Sequence, residues 1–411
     1  MKKALVLFED EGFVNLLPLV FWRSVFELRV GRRLILDRTA QHAGMPLSGV
    51  WTRDWIATVA AQRCGAPANQ APRAGTILVN GRWLIDDDAK FPKGPCVGVI
   101  ESDIAYVVCD STLAETLRAP DLLDPARHAE ALGDVPRREA TGRFLKYPWD
   151  LIADLPARLA ADWHAGDASM ETELDKRVSI TGKESVHIGE RTRVHPTAII
   201  NAADGPVYIS EDVEIGPYAV IDGPAYIGNG CAVRPHAWLH GGNALGPVCK
   251  VGGEVTGCIL HSYVNKQHAG FLGHSLVGSW VNLGAGTCNS NLKNTYGRIR
   301  SPLNGVRMDT GMQFLGAIIG DHVKLGINSS IPTGAVIGLA AAAASGRFLP
   351  KYIPSFGWVT DDGYKPGDPL RLLDVACAAM ARRNIDMTDD EVELMLELGT
   401  RVKLYEAPGE R

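Results

Sequence analysis

From Val186 onward the sequence keeps a period of six, and that period limits the possible folds more than any other feature of the chain. Aliphatic residues stand at Ile188, Val194 and Ile200, then at Ile209, Ile215, Ile221, Ile227, Val233, Leu239, Leu245 and Val251. Glycine often follows directly, as in Ile188-Gly189, Ile215-Gly216, Ile227-Gly228, Leu245-Gly246 and Val251-Gly252. The register resumes at Phe271, Val277 and Leu283, and again at Ile319, Leu325, Ile331 and Ile337. Neither the two-residue period of a strand nor the 3.6 of a helix explains this spacing. A hexapeptide does: each forms one short strand and turn of a three-sided coil, with the aliphatic residue pointing inward and small residues at the corners. The expected architecture for residues 186–344 is therefore a left-handed parallel β-helix. Breaks in the register at 201–207, 256–267 and 289–311 read as loops expelled at corners, where a solenoid carries its function.

Residues 1–147 read as a mixed α/β domain. Short apolar runs at 4–8, 76–79 and 105–109 alternate with helix-compatible stretches such as 54–63. Residues 148–185 form a linking helix and connector, since Trp149, Leu151, Ile152, Leu155, Leu159 and Trp163 recur at helical spacing after Pro148. Residues 345–411 read as a helical extension: 370–383 is amphipathic, and Thr388 with Glu391 makes a capping box that opens a second helix running to about 402. These helices are expected to cap the open end of the solenoid. The 340–344 alanine run is expected to be a tight turn or short helix.

With 411 residues, 46% hydrophobic and 22% charged, the chain has the composition of a globular protein of two or three domains. A net charge of −5 supplies no basic field for nucleic acid or an anionic membrane, but it leaves room for a local basic cleft. Glu9, Asp10 and Glu11 interrupt the first apolar run before a signal peptide is complete, and no run approaches a membrane span, so a cytoplasmic location is expected. The eight cysteines are scattered without a CxxC pair and are expected to be reduced core residues.

The densest polar cluster is Asn265-Lys266-Gln267-His268, followed by Phe271-Leu272-Gly273-His274 and Val281-Asn282-Leu283-Gly284-Ala285-Gly286-Thr287. Acyl transfer to an amine needs a base for the amine proton and donors for the thioester oxygen as it becomes an oxyanion. His268 suits the base, and backbone N–H groups at Ala285 and Gly286 suit the donors, because glycine lets a thioester approach the backbone. The competing reading is a solvated corner with a structural histidine. Lys266, Asn282 and Asn291, on the same stretch, weigh toward a site. A different chemistry also stands open, with His261, His268 and His274 as three zinc ligands.

Arg234-Pro235, Lys266-Gln267-His268, Phe271-Leu272-Gly273, the 281–287 motif and Asn291 together resemble the bifunctional N-acetylglucosamine-1-phosphate uridyltransferase/glucosamine-1-phosphate N-acetyltransferase family. The closer resemblance is to a branch of sugar nucleotidyltransferases, carried by Leu16-Leu17-Pro18-Leu19, Arg23 and Glu27-Leu28-Arg29-Val30-Gly31. It covers nearly the whole chain and is strongest from 186 to 344. The resemblance implies His268 as catalytic histidine, Arg234 on the sugar phosphate, Asn291 as the family's asparagine after the Gly-Ala-Gly-Thr motif, and Ala285 beside the acyl-CoA thioester, while Asn282 and Gly286 stand as substrate- and acetyl-CoA-side candidates from the residues themselves. It also implies Phe271 where the family more often lines its sugar pocket with tyrosine. The family's lysine about twelve positions before the histidine falls on Thr256, so Lys250 or Lys266 takes its part. Acyl-CoA and a sugar phosphate such as glucosamine-1-phosphate are the implied small-molecule partners, in a homotrimer with acyl-CoA lying between neighbouring solenoids.

The front domain departs from that pattern. Uridyltransferases open with a glycine-rich loop carrying an arginine and a lysine that hold the triphosphate, whereas Phe8-Glu9-Asp10-Glu11-Gly12 offers acidity. Arg23 and Arg29, with Arg32 and Arg33, are the candidates to rebuild a phosphate site, or are salt-bridge partners. Nucleotidyl transfer, if kept, requires Mg²⁺ with Asp10 as a ligand. The acidic loop favours its loss or alteration, leaving N-acetyl transfer to an amino-sugar phosphate as the leading function.

Overall fold

A computed structural model describes residues 4–408. The repeat region is a β-solenoid of about eleven turns with three parallel sheets as its faces. It is left-handed. Two of the sheets have ten strands and the third has six. On the first face Ile209, Ile227 and Leu245 are register partners one regular coil of eighteen residues apart. The inward residues form one continuous buried column set, from Val186 and Ile188 to Ile353 and Val359.

The register breaks differ in kind. Ile188 pairs with Ile209, so the 201–207 break adds three residues to a coil. The 256–267 break, expected as a loop, is instead a shortened coil, since Leu245 pairs directly with Leu260. The 289–311 break holds a hairpin of Arg300–Leu303 with Val306–Asp309. Its Ile299 and Leu303 are buried in the core shared with the front domain, and Asn304 Nδ2 donates to Val14 O at 2.9 Å. The residues expected at Phe271 and at 340–344 also shift. Leu272, 1% exposed, fills the prism while Phe271 faces outward opposite Glu254. Ala342–Ala344 is a strand paired with both the Lys324 and the Trp358 strands, because small side chains let the coil narrow without breaking its ladder.

The front domain is a six-stranded mixed sheet in which Ala4–Phe8 runs parallel to Leu47–Trp51 and Thr76–Asn80. Asp103–Val108 is antiparallel to both its neighbours. The domain docks on the first solenoid face, which we call the docking face. Five successive strands there carry an apolar doublet: Ala244-Leu245, Ile259-Leu260, Leu276-Val277, Ile318-Ile319 and Val336-Ile337. The second member of each fills the prism, and the first joins the front-domain core with Leu16, Phe21 and Phe26. Alternate strand residues point to opposite sides of the sheet, so a doublet marks a face buried on both.

Arg23 closes this interface and not a nucleotide site. It is 7% exposed, ion-paired with the fully buried Asp321, and its Nη1 and Nη2 lie 2.8 Å from His261 Nδ1 and 3.1 Å from Ser279 Oγ. Arg29 is equally buried and lies 5.2 Å over the Tyr226 ring, while Arg32 lies 4.4 Å over Tyr208. Both solenoid tyrosines are outward residues of the docking face. The expected phosphate arginines are thus seams between the domains, because the docking face brings them acceptors and rings that sequence order does not show.

The helices Pro369–Ala381 and Asp389–Arg401 do not cover the solenoid's end. An antiparallel strand, Gly363–Pro366, pairs along its last coil. The helices pack beside the solenoid: Leu372, Ala376, Leu394 and Leu398 join the shared core, and Glu391 ion-pairs with Arg63 of the front domain at 2.7 Å. Asp368 and Thr388 cap them, accepting from Leu370 N and Glu391 N. All eight cysteines are free, with Cys96, Cys109, Cys231, Cys249 and Cys258 buried. Among the described residues no helix is long and apolar enough to cross a membrane.

Candidate functional site

Over four successive strands of the second face the residue before the inward position is polar, and strand pairing stacks these residues into a ladder. Lys250 pairs with Asn265, Asn265 with Asn282, and Asn282 with Lys324. Asn265 Nδ2 donates to Asn282 Oδ1 at 2.7 Å. The Pro369–Ala381 helix stands over this open face and leaves a cleft of about 400 Å³, lined by the ladder, Gln267, the Tyr263 and Trp280 rings, and Arg382 and Arg383. The two rings stack at 4.0 Å from successive corners, where both residues take left-handed backbone. The arginines follow the helix's last turn, where cations also favour the helix dipole. The Arg383 charge, then partial burial and Arg234, push the Lys250 ammonium below its usual range. Such crowding of cations favours an anionic ligand.

His268 lies at the next corner, exposed to solvent, between the Asn265–Lys266 and Phe271–Gly273 strands. Lys266, expected to touch substrate, occupies an inward position opposite Val251 and is 2% exposed. Its ammonium donates to the carbonyls of Gly252, His268 and Gly270 at 2.9, 2.9 and 3.0 Å. All three protons are thereby used, and burial brings its pKa down to about 8. Lys266 is therefore an internal clamp that fixes the corner carrying His268, and the half-buried Lys250 is the lysine that lines the cleft. Arg234 is exposed two coils earlier on the same edge, about 10 Å away by strand spacing, with Gly252 between it and Gln267.

The third face supplies the other flank. Phe271 and Asn291 close over Gly273, where an added Cβ would come within 2.5 Å of Phe271 Cζ and 2.6 Å of Asn291 Nδ2. Asn291 Nδ2 also lies 2.9 Å from His274 Nδ1. On the corner stacked above His268, the Gly286 N–H donates to Ala269 O at 3.0 Å. Gly286 is thus not an oxyanion donor, and the Ala285 N–H has no partner among the described residues. Sequence reasoning placed Asn265 in the polar cluster without a role and missed Tyr263, Trp280, Lys324, Arg382 and Arg383. The ladder positions were accessible from coil register, but the arginines come from a helix whose docking no local pattern shows.

Neither metal reading fits. Among the described residues no three histidine, cysteine or acidic side chains gather to hold an ion. His261 is buried against Arg23 and His274 pairs with Asn291, on different faces of the coil, so the zinc set with His268 does not assemble. Asp10, the expected Mg²⁺ ligand, accepts from Arg82 Nε and Nη2 at 2.5 and 2.6 Å, Asn80 Nδ2 at 2.7 Å and the Gly12 N–H at 3.1 Å. Those four bonds occupy its lone pairs.

Residues 5–168 match the sugar nucleotidyl transferase family, and residues 206–241 match bacterial transferase hexapeptide repeats. The chain joins a domain similar to sugar nucleotidyl transferases to a hexapeptide solenoid. The bifunctional sugar-1-phosphate nucleotidylyltransferase/acetyltransferase of Sulfurisphaera tokodaii is 35% identical over 102 residues, 24% of this chain and 25% of that protein. The bifunctional GlmU protein of Acidithiobacillus ferrooxidans is 30% identical over 256 residues, 61% of this chain and 50% of that protein. The matches thus span a quarter to a half of these relatives' length. Among solved structures, the UDP-N-acetylglucosamine acyltransferase of Francisella novicida is 20% identical with a TM-score of 0.29, covering 54% of this chain and 74% of that one.

Proposed function

We propose that the solenoid transfers an acetyl group from acetyl-CoA to the amine of an amino-sugar phosphate such as glucosamine-1-phosphate. The observation that carries this reading is the exposed His268 on a corner clamped by Lys266, with a basic cleft on one flank and the Phe271–Asn291 pair on the other. The unprotonated amine attacks the thioester carbonyl, the C–N bond forms as the C–S bond breaks, His268 takes the amine proton, and CoA leaves as thiolate. The Ala285 N–H donates to the developing oxyanion. Lys250 and Arg234 hold the sugar's phosphate, and Asn282 borders it. The relatives named for both nucleotidyl and acetyl transfer support the acetyl reading at the level of domain content. Exposed Ile199 and Trp238 on the third face suit packing against a second and third solenoid in a homotrimer, which light scattering would test.

The test is CoA release from purified protein with acetyl-CoA and glucosamine-1-phosphate, beside His268→Ala. Release that needs His268 supports the assignment. Undiminished release in the variant, or none with any amino-sugar phosphate tried, rejects it.

A further inference from the structure

At the carboxyl end of the Ala4–Phe8 strand the front domain holds a second cleft, of about 610 Å³, bordered by Asp10, Glu11, Asn15, Asp103, Lys146 and Tyr147. In a nucleotidyl transferase domain this is where a metal-bound triphosphate is expected, yet its centre already contains a cation. Arg82, 5% exposed, reaches Asp10 through two nitrogens, donates to Leu145 O at 3.2 Å, and lies 3.8 Å from Asp103 Oδ1 and 4.8 Å over the Phe144 ring. The chain leaves room for it: a Cβ at Gly12 would come within 2.2 Å of the Arg82 Cζ. The guanidinium is thus built in, and displacing it would leave a buried charge without a partner.

The remaining charges do not suit a triphosphate. With Asp10 neutralised by Arg82, and Lys146 ion-paired to Glu101 at 3.3 Å, the cleft presents the exposed Glu11 and an Asp103 that touches the same guanidinium through one oxygen only and keeps 36% of its side chain exposed. A polyanion is repelled by such a field unless a metal screens it, and Asp10 has no lone pair left for one. The same groups do suit a neutral, hydroxyl-rich ligand. Carboxylates accept strong hydrogen bonds from hydroxyls, and Tyr147 offers a ring held rigid by stacking on Trp149 at 4.8 Å and 16°.

We propose that the front-domain cleft is a metal-independent site for a neutral sugar ring, with Asp103 and Glu11 receiving its hydroxyls and Tyr147 as the platform beneath it. The site stands apart from the His268 corner and does not depend on the acetyl-transfer reading. Titration calorimetry of the full chain with N-acetylglucosamine, glucose, mannose and galactose, each in EDTA and in Mg²⁺, tests it, with UTP and Mg²⁺ alongside. At least one sugar should bind equally in both buffers. Its affinity should fall about tenfold or more in Asp103→Asn and in Tyr147→Ala, the loss of one charge-assisted bond or one platform. Tyr147→Phe, which keeps the ring, should retain it, which separates a local effect from unfolding. Heat from none of the four sugars, binding indifferent to both front-domain substitutions, or Mg²⁺-dependent UTP binding would each overturn the proposal.

Discussion

Two faces of one solenoid are built from the same repeat and do opposite things. Over five successive strands of the docking face the residue before the inward aliphatic is itself apolar, as in Ile259-Leu260 and Leu276-Val277, and the front domain covers it. On the open face that same position holds Lys250, Asn265, Asn282 and Lys324, and a cleft remains. The inward residue secures the coil, and the residue beside it decides whether a face becomes an interface or a site. A face buried on both sides removes more apolar area from water, whereas the polar face leaves an open cleft with the Lys250 ammonium on its wall.

The comparison breaks most sharply by exchange. Leu276→Asp places an unpaired carboxylate on the docking face and should cost about 4 kcal/mol or more in urea unfolding. A loss below about 1 kcal/mol would mean that the face is not sealed. On the open side, His268→Ala should lower kcat about 10²–10³-fold with little change in sugar affinity, as removal of a general base does. An equal loss of binding would point to a structural role. Lys250→Ala should raise the KM for the sugar phosphate about tenfold while kcat holds, because a phosphate contact is made in ground and transition states alike; an unchanged KM moves the phosphate elsewhere.

The smallest effect concerns the lysine that breaks the pattern by sitting inside. Burial lowers the Lys266 pKa from 10.5 to about 8. Below pH 8 both folded and unfolded chains carry the proton, and the folded state bears the full cost of the buried charge. Between about pH 8 and 10.5 the unfolded chain holds a proton that the folded chain has released, so this residue's contribution makes stability rise with pH. Against Lys266→Met, the parent's unfolding free energy should gain about 1 kcal/mol per pH unit across that window. Parallel curves would show that the ammonium is not buried.

The coil was legible because its signal is local and repeated: through the regular eighteen-residue coils the six-residue spacing names the inward aliphatics, such as Ile209, Ile227 and Leu245. It failed where the composition departed from the rule. Phe271 looked like an inward residue because it is apolar and in phase, but two short turns moved Leu272 into that place. Lys266 looked like a ligand because it is charged, although its register partner is the inward Val251. His268, Lys250 and Asn282 were accessible from the motif, whereas Arg382 and Arg383 were not, since a helix's docking site is not written in its own period.

By itself the sequence determined the solenoid, the division into front domain, coil and terminal helices, and the corner on which His268 stands, because periodic patterns of apolar and small residues act over a few positions. The tertiary structure decided the fate of the charges. Arg23 meets Asp321 across 298 residues, and Arg82 meets Asp10 across 72. A buried guanidinium takes whichever carboxylate the fold brings within reach, since an unpaired charge in the interior costs more than any local preference can offset.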